Sequence, residues 1–121
     1  DYKPKSISDQ KIKKKDIVLE IALEPTKDIL ASLGKIKKNQ FLVGFALETN
    51  NEIENAIGKL QKKNLDAIVL NSLQDKGAGF ATDTNKVTFI DNSLQQTSFE
   101  LKSKVEVAND IMNEILKRIH A

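Results

Sequence analysis

Residues 41–71, FLVGFALETNNEIENAIGKLQKKNLDAIVLN, place two apolar runs of strand length on either side of a stretch with helical periodicity, and that order leaves few folds open. Phe41–Ala46 and Leu65–Leu70 lack the polar alternation of a strand with one face in water. They read as strands of a parallel sheet covered on both faces. Parallel neighbours need a crossover, and Ile53, Ala56, Ile57 and Leu60 recur at the spacing of one helical face, so the crossover is an amphipathic helix. The unit is expected to be right-handed, because a twisted strand feeding a right-handed helix packs back onto its sheet only that way. The fold class is therefore α/β.

On the N-terminal side, Asp1–Lys15 holds Pro4, the lysines Lys11, Lys13, Lys14 and Lys15, and few aliphatic residues, which predicts an exposed loop able to act as a flap. Ile17–Leu23 alternates as a half-buried strand. Thr26 is expected to cap a helix with Asp28 in its first turn and Ile29, Leu30 and Leu33 on one face, and Gly34 is expected to end it. On the C-terminal side, SLQDKGAGFATDTNK is a loop of turn formers, with a turn at Asp83–Asn85. Lys86–Asp91 and Thr97–Lys102 predict an edge β-hairpin. Ser103 and Glu106 form a capping box for a last helix whose apolar stripe is Val105, Ala108, Ile111, Met112, Ile115 and Ile119.

With 121 residues the chain is one domain at most, and the excess of 19 basic over 17 acidic residues is too small for a field that binds nucleic acid unspecifically. The absence of cysteine removes disulfides and thiolate metal sites, and the cytoplasm is the default compartment. No apolar run approaches the roughly 18 residues of a membrane span, so no membrane partner is expected. The first residue is Asp, and the opening DYKPKSISDQKIKKK gives no strand or helix that would form a natural domain edge. A fragment is expected, cut either in a linker or through a domain.

Few residues carry a chemical signal. Lys59 and Lys63 lie four apart on one helix flank, where two cations can meet a polyphosphate or can simply be solvated while their stems cover apolar surface. The same two readings apply to the cluster that begins at Lys11. Phe45, at the C-terminal end of its strand, either packs in the core or faces a ligand where open parallel sheets bind one. Gly77-Ala78-Gly79 lacks the setting of a dinucleotide fingerprint and reads as a turn, and His120 as a partner of a helix C-terminus. The sequence shows neither a metal-ligand cluster nor a nucleophile–base pair.

The ordered motifs DYKP, KIKK, LEPTKDIL, VGFALETNN, GKLQKKNLDAIVLN and GFATDTNKV resemble the C-terminal part of phosphopantothenoylcysteine synthetase, also called phosphopantothenate–cysteine ligase. In bacteria that enzyme is often fused behind a flavin-dependent phosphopantothenoylcysteine decarboxylase. The resemblance covers nearly the whole chain and implies a Rossmann-like three-layer fold, with residues 1–121 as the C-terminal portion of one domain whose first half, with its glycine-rich loop, is missing. It implies a homodimeric coenzyme A biosynthesis enzyme that uses CTP and magnesium to join 4'-phosphopantothenate to cysteine through an acyl-cytidylate. FMN would belong only to a fused decarboxylase domain.

Residue by residue, the resemblance assigns nucleotide contacts to Asp1, to Lys27, Asp28, Ile29 and Leu30 at a helix start, to Phe45, and to Lys59 and Lys63 as triphosphate lysines. Lys11 becomes the catalytic flap lysine. The segment LEPTKDIL departs from members with Asn-Pro before the aspartate, which weakens the assignment at Lys27 more than at Asp28. Alone, the chain is expected to be inactive. A noncatalytic α/β dimerisation or interaction module, with solvated lysines and an exposed strand Ile17–Leu23 that pairs with a partner, accounts for the same residues.

Overall fold

A computed structural model of the chain describes residues 1–11, 20–72 and 83–120. The central unit forms as its periodicity requires: β3 (Val43–Glu48), α2 (Glu52–Lys62) and β4 (Ala67–Ser72), with β3 and β4 parallel in the register Val43↔Ala67 to Glu48↔Ser72. Each strand is displaced by two residues from the expected run. Asp66 explains the start of β4, because its carboxylate accepts hydrogen bonds from the Leu42 amide at 2.7 Å and from Lys37 Nζ at 3.1 Å, tying both strand entrances together.

Strand β6 (Val87–Asp91) lies antiparallel beside β4, and β7 (Gln96–Ser98) closes the edge hairpin, giving the order β3-β4-β6-β7. Helices cover both faces of this mixed sheet. Ile68, Leu70 and Ile90 point to one side, onto Ala56 and Leu60 of α2 with Leu30 of α1 (Ile29–Ile36) against them. Ala67, Val69, Val87 and Phe89 point to the other, onto Val107 and Ile111 of α3 (Lys104–Ile119). The result is the expected Rossmann-like three-layer α/β arrangement with its C-terminal helix. Alternate residues of β4 feed the two cores, so the strand is buried along most of its length.

Outside the sheet several expectations are corrected. Within the expected N-terminal loop, Tyr2–Pro4 (β1) pairs antiparallel with Leu23–Pro25 (β2), and Lys5 N–H continues the ladder to Ala22 O at 2.9 Å. Of the expected strand Ile17–Leu23 only the end is seen; residues 17–19, Lys13–Lys15 and Gly77–Gly79 lie outside the described residues. Asp28, not Thr26, caps α1: its Oδ1 accepts from the Ala31 amide at 3.0 Å. Gly34 does not end α1 but sits buried inside it, where a Cβ would lie 1.8 Å from the Lys63 carbonyl oxygen. The glycine is there because another backbone needs its space.

Asp83–Asn85 is not a plain turn either, since β5 (Thr84–Asn85) pairs with β8 (Lys102–Ser103). Ser103 caps α3 as expected, accepting from the Glu106 amide at 3.2 Å while its hydroxyl donates to Glu106 Oε1 at 2.9 Å. The buried side of α3, however, is Val107, Ile111 and Glu114, whereas Val105, Met112 and Ile119 are exposed. Arg118 accounts for the buried carboxylate: Nη1 donates to Glu114 Oε2 at 2.8 Å and Nη2 to Asp91 Oδ2 at 3.0 Å, with the guanidinium 4.7 Å above the Phe89 ring. That network bolts the end of α3 to β6.

Candidate functional site

The β1–β2 pairing sets Asp1 beside the entry to α1, where the Thr26 amide donates to the Asp1 carbonyl at 2.9 Å. From there the chain turns through Lys27 into the Asp28 cap, so the first turn of α1 and its free amides open onto the ground that Asp1 borders. Phe45 reaches the same ground from β3, and Lys63 reaches it from the end of α2. Together they line a polar cleft of about 550 Å³.

Seven of the nine expected site residues meet there: Asp1, Lys27, Asp28, Ile29, Leu30, Phe45 and Lys63. Tyr2, Pro25 and Thr26 complete the wall. Pattern reasoning missed these three because none belongs to an apolar stripe or a charge pair; the neighbourhood of Tyr2 to Asp1 was the available signal. Phe45 is 71% exposed, which corrects the core-packing alternative, although Val43 on the same side of β3 packs against the α3 core.

The two lysines of α2 part company. Lys63, just past the helix, stretches to α1 and pairs with Asp28 Oδ2 at 3.2 Å. Lys59 turns to the end of β3 and meets Glu48 Oε1 at 2.5 Å, outside the cleft wall. Lys11 is exposed and does not line the cleft. The Ala31 amide and then the Lys63 ammonium hold the Asp28 carboxyl below its ordinary value, so it is ionised at neutral pH. Chemically the cleft offers a helix N-terminus, two exposed aromatic rings, Tyr2 and Phe45, and two lysines, Lys27 and the Asp28-paired Lys63. That set suits a ligand with a flat ring and an anionic group.

Comparison with known proteins gives these features a context. A family model described as "DNA/pantothenate metabolism flavoprotein C-terminal domain" matches residues 1–119. A cysteine/cysteine sulfinic acid decarboxylase from an unknown prokaryotic organism is 57% identical over 121 residues, covering 99% of this chain and 34% of that protein. The coenzyme A biosynthesis bifunctional protein CoaBC of Bacillus subtilis (strain 168) is 44% identical over 115 residues, covering 95% of this chain and 28% of that protein. Among solved structures, the C-terminal domain of a CoaBC protein superposes with a TM-score of 0.69 at 42% identity, covering 81% of this chain and 47% of that one. The DNA/pantothenate metabolism flavoprotein from Streptococcus pneumoniae, at 24% identity and a TM-score of 0.66, shares the fold. The chain thus spans about a third of the length of these curated relatives and about half of the solved chains.

The tie to coenzyme A biosynthesis proteins stands on these likenesses, but the expected ligase reaction does not. The matched family is described as a flavoprotein domain and the relative at 57% identity is named a decarboxylase, so the assignment as a CTP-dependent phosphopantothenate–cysteine ligase is corrected. Geometry offers it little help: the two lysines expected to hold a triphosphate point to different elements, each already paired with a carboxylate. CTP and magnesium lose the step that called for them.

Proposed function

Because this chain belongs to the DNA/pantothenate metabolism flavoprotein C-terminal domain family, we propose that it is the ligand-binding C-terminal portion of a decarboxylase acting on cysteine or a cysteine-derived carboxylate, such as phosphopantothenoylcysteine. The observation that carries this reading is the 57% identity to a cysteine/cysteine sulfinic acid decarboxylase along 99% of the chain. The cleft at the start of α1 is the part this chain contributes. Asp1, Lys27–Leu30, Phe45 and Lys63 bind a mononucleotide or a similarly phosphorylated ligand there, with Phe45 against the ring and Lys63, released from Asp28, toward the phosphate. Lys59 and Lys11 join only if their segments rearrange.

The family description implies a flavin, which when bound would supply redox chemistry. Tyr2 and Phe45 present rings to the cleft and Lys27 and Lys63 present cations, so the residues that would hold a mononucleotide would also hold the ring and phosphate of a flavin mononucleotide. A second copy of the chain is proposed to pair with the exposed arm β1–β2, where Tyr2 and Leu23 are uncovered, to give a homodimer in the cytoplasm.

The test is carbon dioxide release by a longer parent chain that includes residues 1–121, supplied in turn with cysteine, cysteine sulfinate and phosphopantothenoylcysteine. One substrate should be decarboxylated, and Lys63→Gln should weaken binding of the phosphorylated ligand. Absence of carbon dioxide from all three refutes the decarboxylase reading. Unchanged affinity in the variant refutes the cleft.

A further inference from the structure

Asp28 does two things at once in the wall of the cleft. Its Oδ1 accepts from the Ala31 amide at 3.0 Å, and its Oδ2 pairs with Lys63 Nζ at 3.2 Å. The first contact is a helix cap, which needs no charge, since Asn and Ser cap about as strongly as Asp. The second engages a cation that lines the cleft. The carboxyl is ionised at neutral pH, so the cap accounts for the shape of this residue while the cleft feels its charge.

The two partners differ in how freely they move. Asp28 is fixed to the first turn of α1: besides the cap, its carbonyl accepts from the Ser32 amide at 3.1 Å and from the Ser32 hydroxyl at 3.0 Å. Lys63 is fixed at its backbone. Its amide donates to the Lys59 carbonyl at 3.0 Å, and its own carbonyl oxygen is pressed against Gly34, 1.8 Å from where a Cβ would stand. Asn64 Nδ2 donates to the Gly34 carbonyl at 2.9 Å and Lys37 Nζ to the Asn64 carbonyl at 2.7 Å, which ties the end of α2 to α1. Between that anchored backbone and the ammonium runs a flexible four-carbon stem. An exchange of partners at this pair is therefore a swing of the Lys63 side chain, while the carboxylate stays in place.

A ligand group that recruits Lys63 must outcompete one fixed carboxylate, and must do so beside a negative charge that remains in the wall. Coulomb attraction scales with the product of the charges, so at equal distance a phosphomonoester dianion draws the ammonium about twice as strongly as a carboxylate does. A monoanion, such as a second carboxylate or a phosphodiester, only matches it. We propose that Asp28 is a specificity-determining residue: as an internal anion on Lys63, it makes the cleft select a ligand's terminal phosphomonoester dianion and leaves a singly charged group no advantage over a neutral one. The inference rests on the reading of the cleft as the site of a phosphorylated ligand. It adds that the selection is by charge, and that Asp28 exercises it by positioning Lys63.

Calorimetry at one neutral pH, on the longer parent chain that includes residues 1–121, tests this. The probes are CMP and AMP, each beside its nucleoside and beside the methyl ester of its phosphate, which carries a single charge. The unsubstituted protein should bind a nucleotide more tightly than its methyl ester, and the methyl ester no more tightly than the nucleoside. Asp28→Asn keeps the cap and releases Lys63, so nucleotide and methyl ester should both bind about threefold to tenfold more tightly, with the nucleoside unchanged. Asp28→Ser should do the same, and either change combined with Lys63→Gln should lose the gain. A purely structural role for Asp28 would instead weaken all three probes together. That result overturns the proposal, and so does an unchanged nucleotide affinity in both Asp28 variants. A methyl ester that binds the unsubstituted protein as tightly as the nucleotide overturns the charge threshold. Failure of the cleft reading looks different: neither nucleotide would bind the unsubstituted protein or any variant, and the proposal would fall with it.

Discussion

Replacing Gly34 with Ala separates local propensity from packing, because the two predict opposite signs. In an isolated helix the change stabilises by about 1 kcal/mol. In the folded chain the new Cβ would lie 1.8 Å from the Lys63 carbonyl oxygen and 2.9 Å from its carbon, both backbone atoms. Relief requires α1 to move from the end of α2 by more than about 1 Å in a close-packed interior, an overpacking cost of about 1–3 kcal/mol. The same movement strains the bond from Asn64 Nδ2 to the Gly34 carbonyl, 2.9 Å long, which is worth about 1 kcal/mol. The net expectation is a loss of about 1–3 kcal/mol. Urea denaturation of the Gly34→Ala chain beside Gly58→Ala measures it. Gly58 is exposed in α2 with nothing within 4 Å of its Cβ position, so its substitution should stabilise by about 1 kcal/mol. A Gly34→Ala chain as stable as Gly58→Ala would refute the close approach. Since the displaced backbone belongs to Lys63, the change should also loosen its pair with Asp28 and weaken ligand binding at the cleft.

Arg118→Ala leaves Asp91 and Glu114 facing each other with little solvent, and should cost about 3 kcal/mol in chemical denaturation. Arg118 holds the Glu114 carboxyl below its ordinary value of 4.5, so its stabilising share is complete above 4.5 and is lost as pH falls through the lowered folded value; Glu114→Gln should flatten stability against pH in that acid range. Ser103→Ala should lower stability by about 1 kcal/mol through loss of the α3 cap, read from the thermal midpoint. At the cleft, Lys63→Gln should weaken a mononucleotide by about 1.5–3 kcal/mol in calorimetry, while Lys59→Gln, whose amine is engaged with Glu48, should change it far less; equal losses would put both lysines on the ligand.

Periodicity alone determined the strand–helix–strand unit, the edge hairpin and the Ser103 cap, because these depend on contacts between near neighbours in sequence. Resemblance to a family carried further, naming seven residues that the fold gathers into one cleft although Asp1 and Lys63 are distant along the chain. What the sequence left open is decided by packing across long separations. Spacing puts Lys59 and Lys63 on one flank, but only the approach of α1 to the end of α2, made possible by the bare Gly34, sends Lys63 to Asp28 and leaves Lys59 with Glu48. Glycine in a helix reads as a stop signal until the backbone pressed against it is known. Likewise α3 carries two adjoining apolar stripes, and no local pattern can say which lies on the sheet. Arg118 decides it, for burying Val107 and Ile111 also brings its guanidinium between Asp91 and Glu114 and over Phe89, where two carboxylates and a ring satisfy it at once.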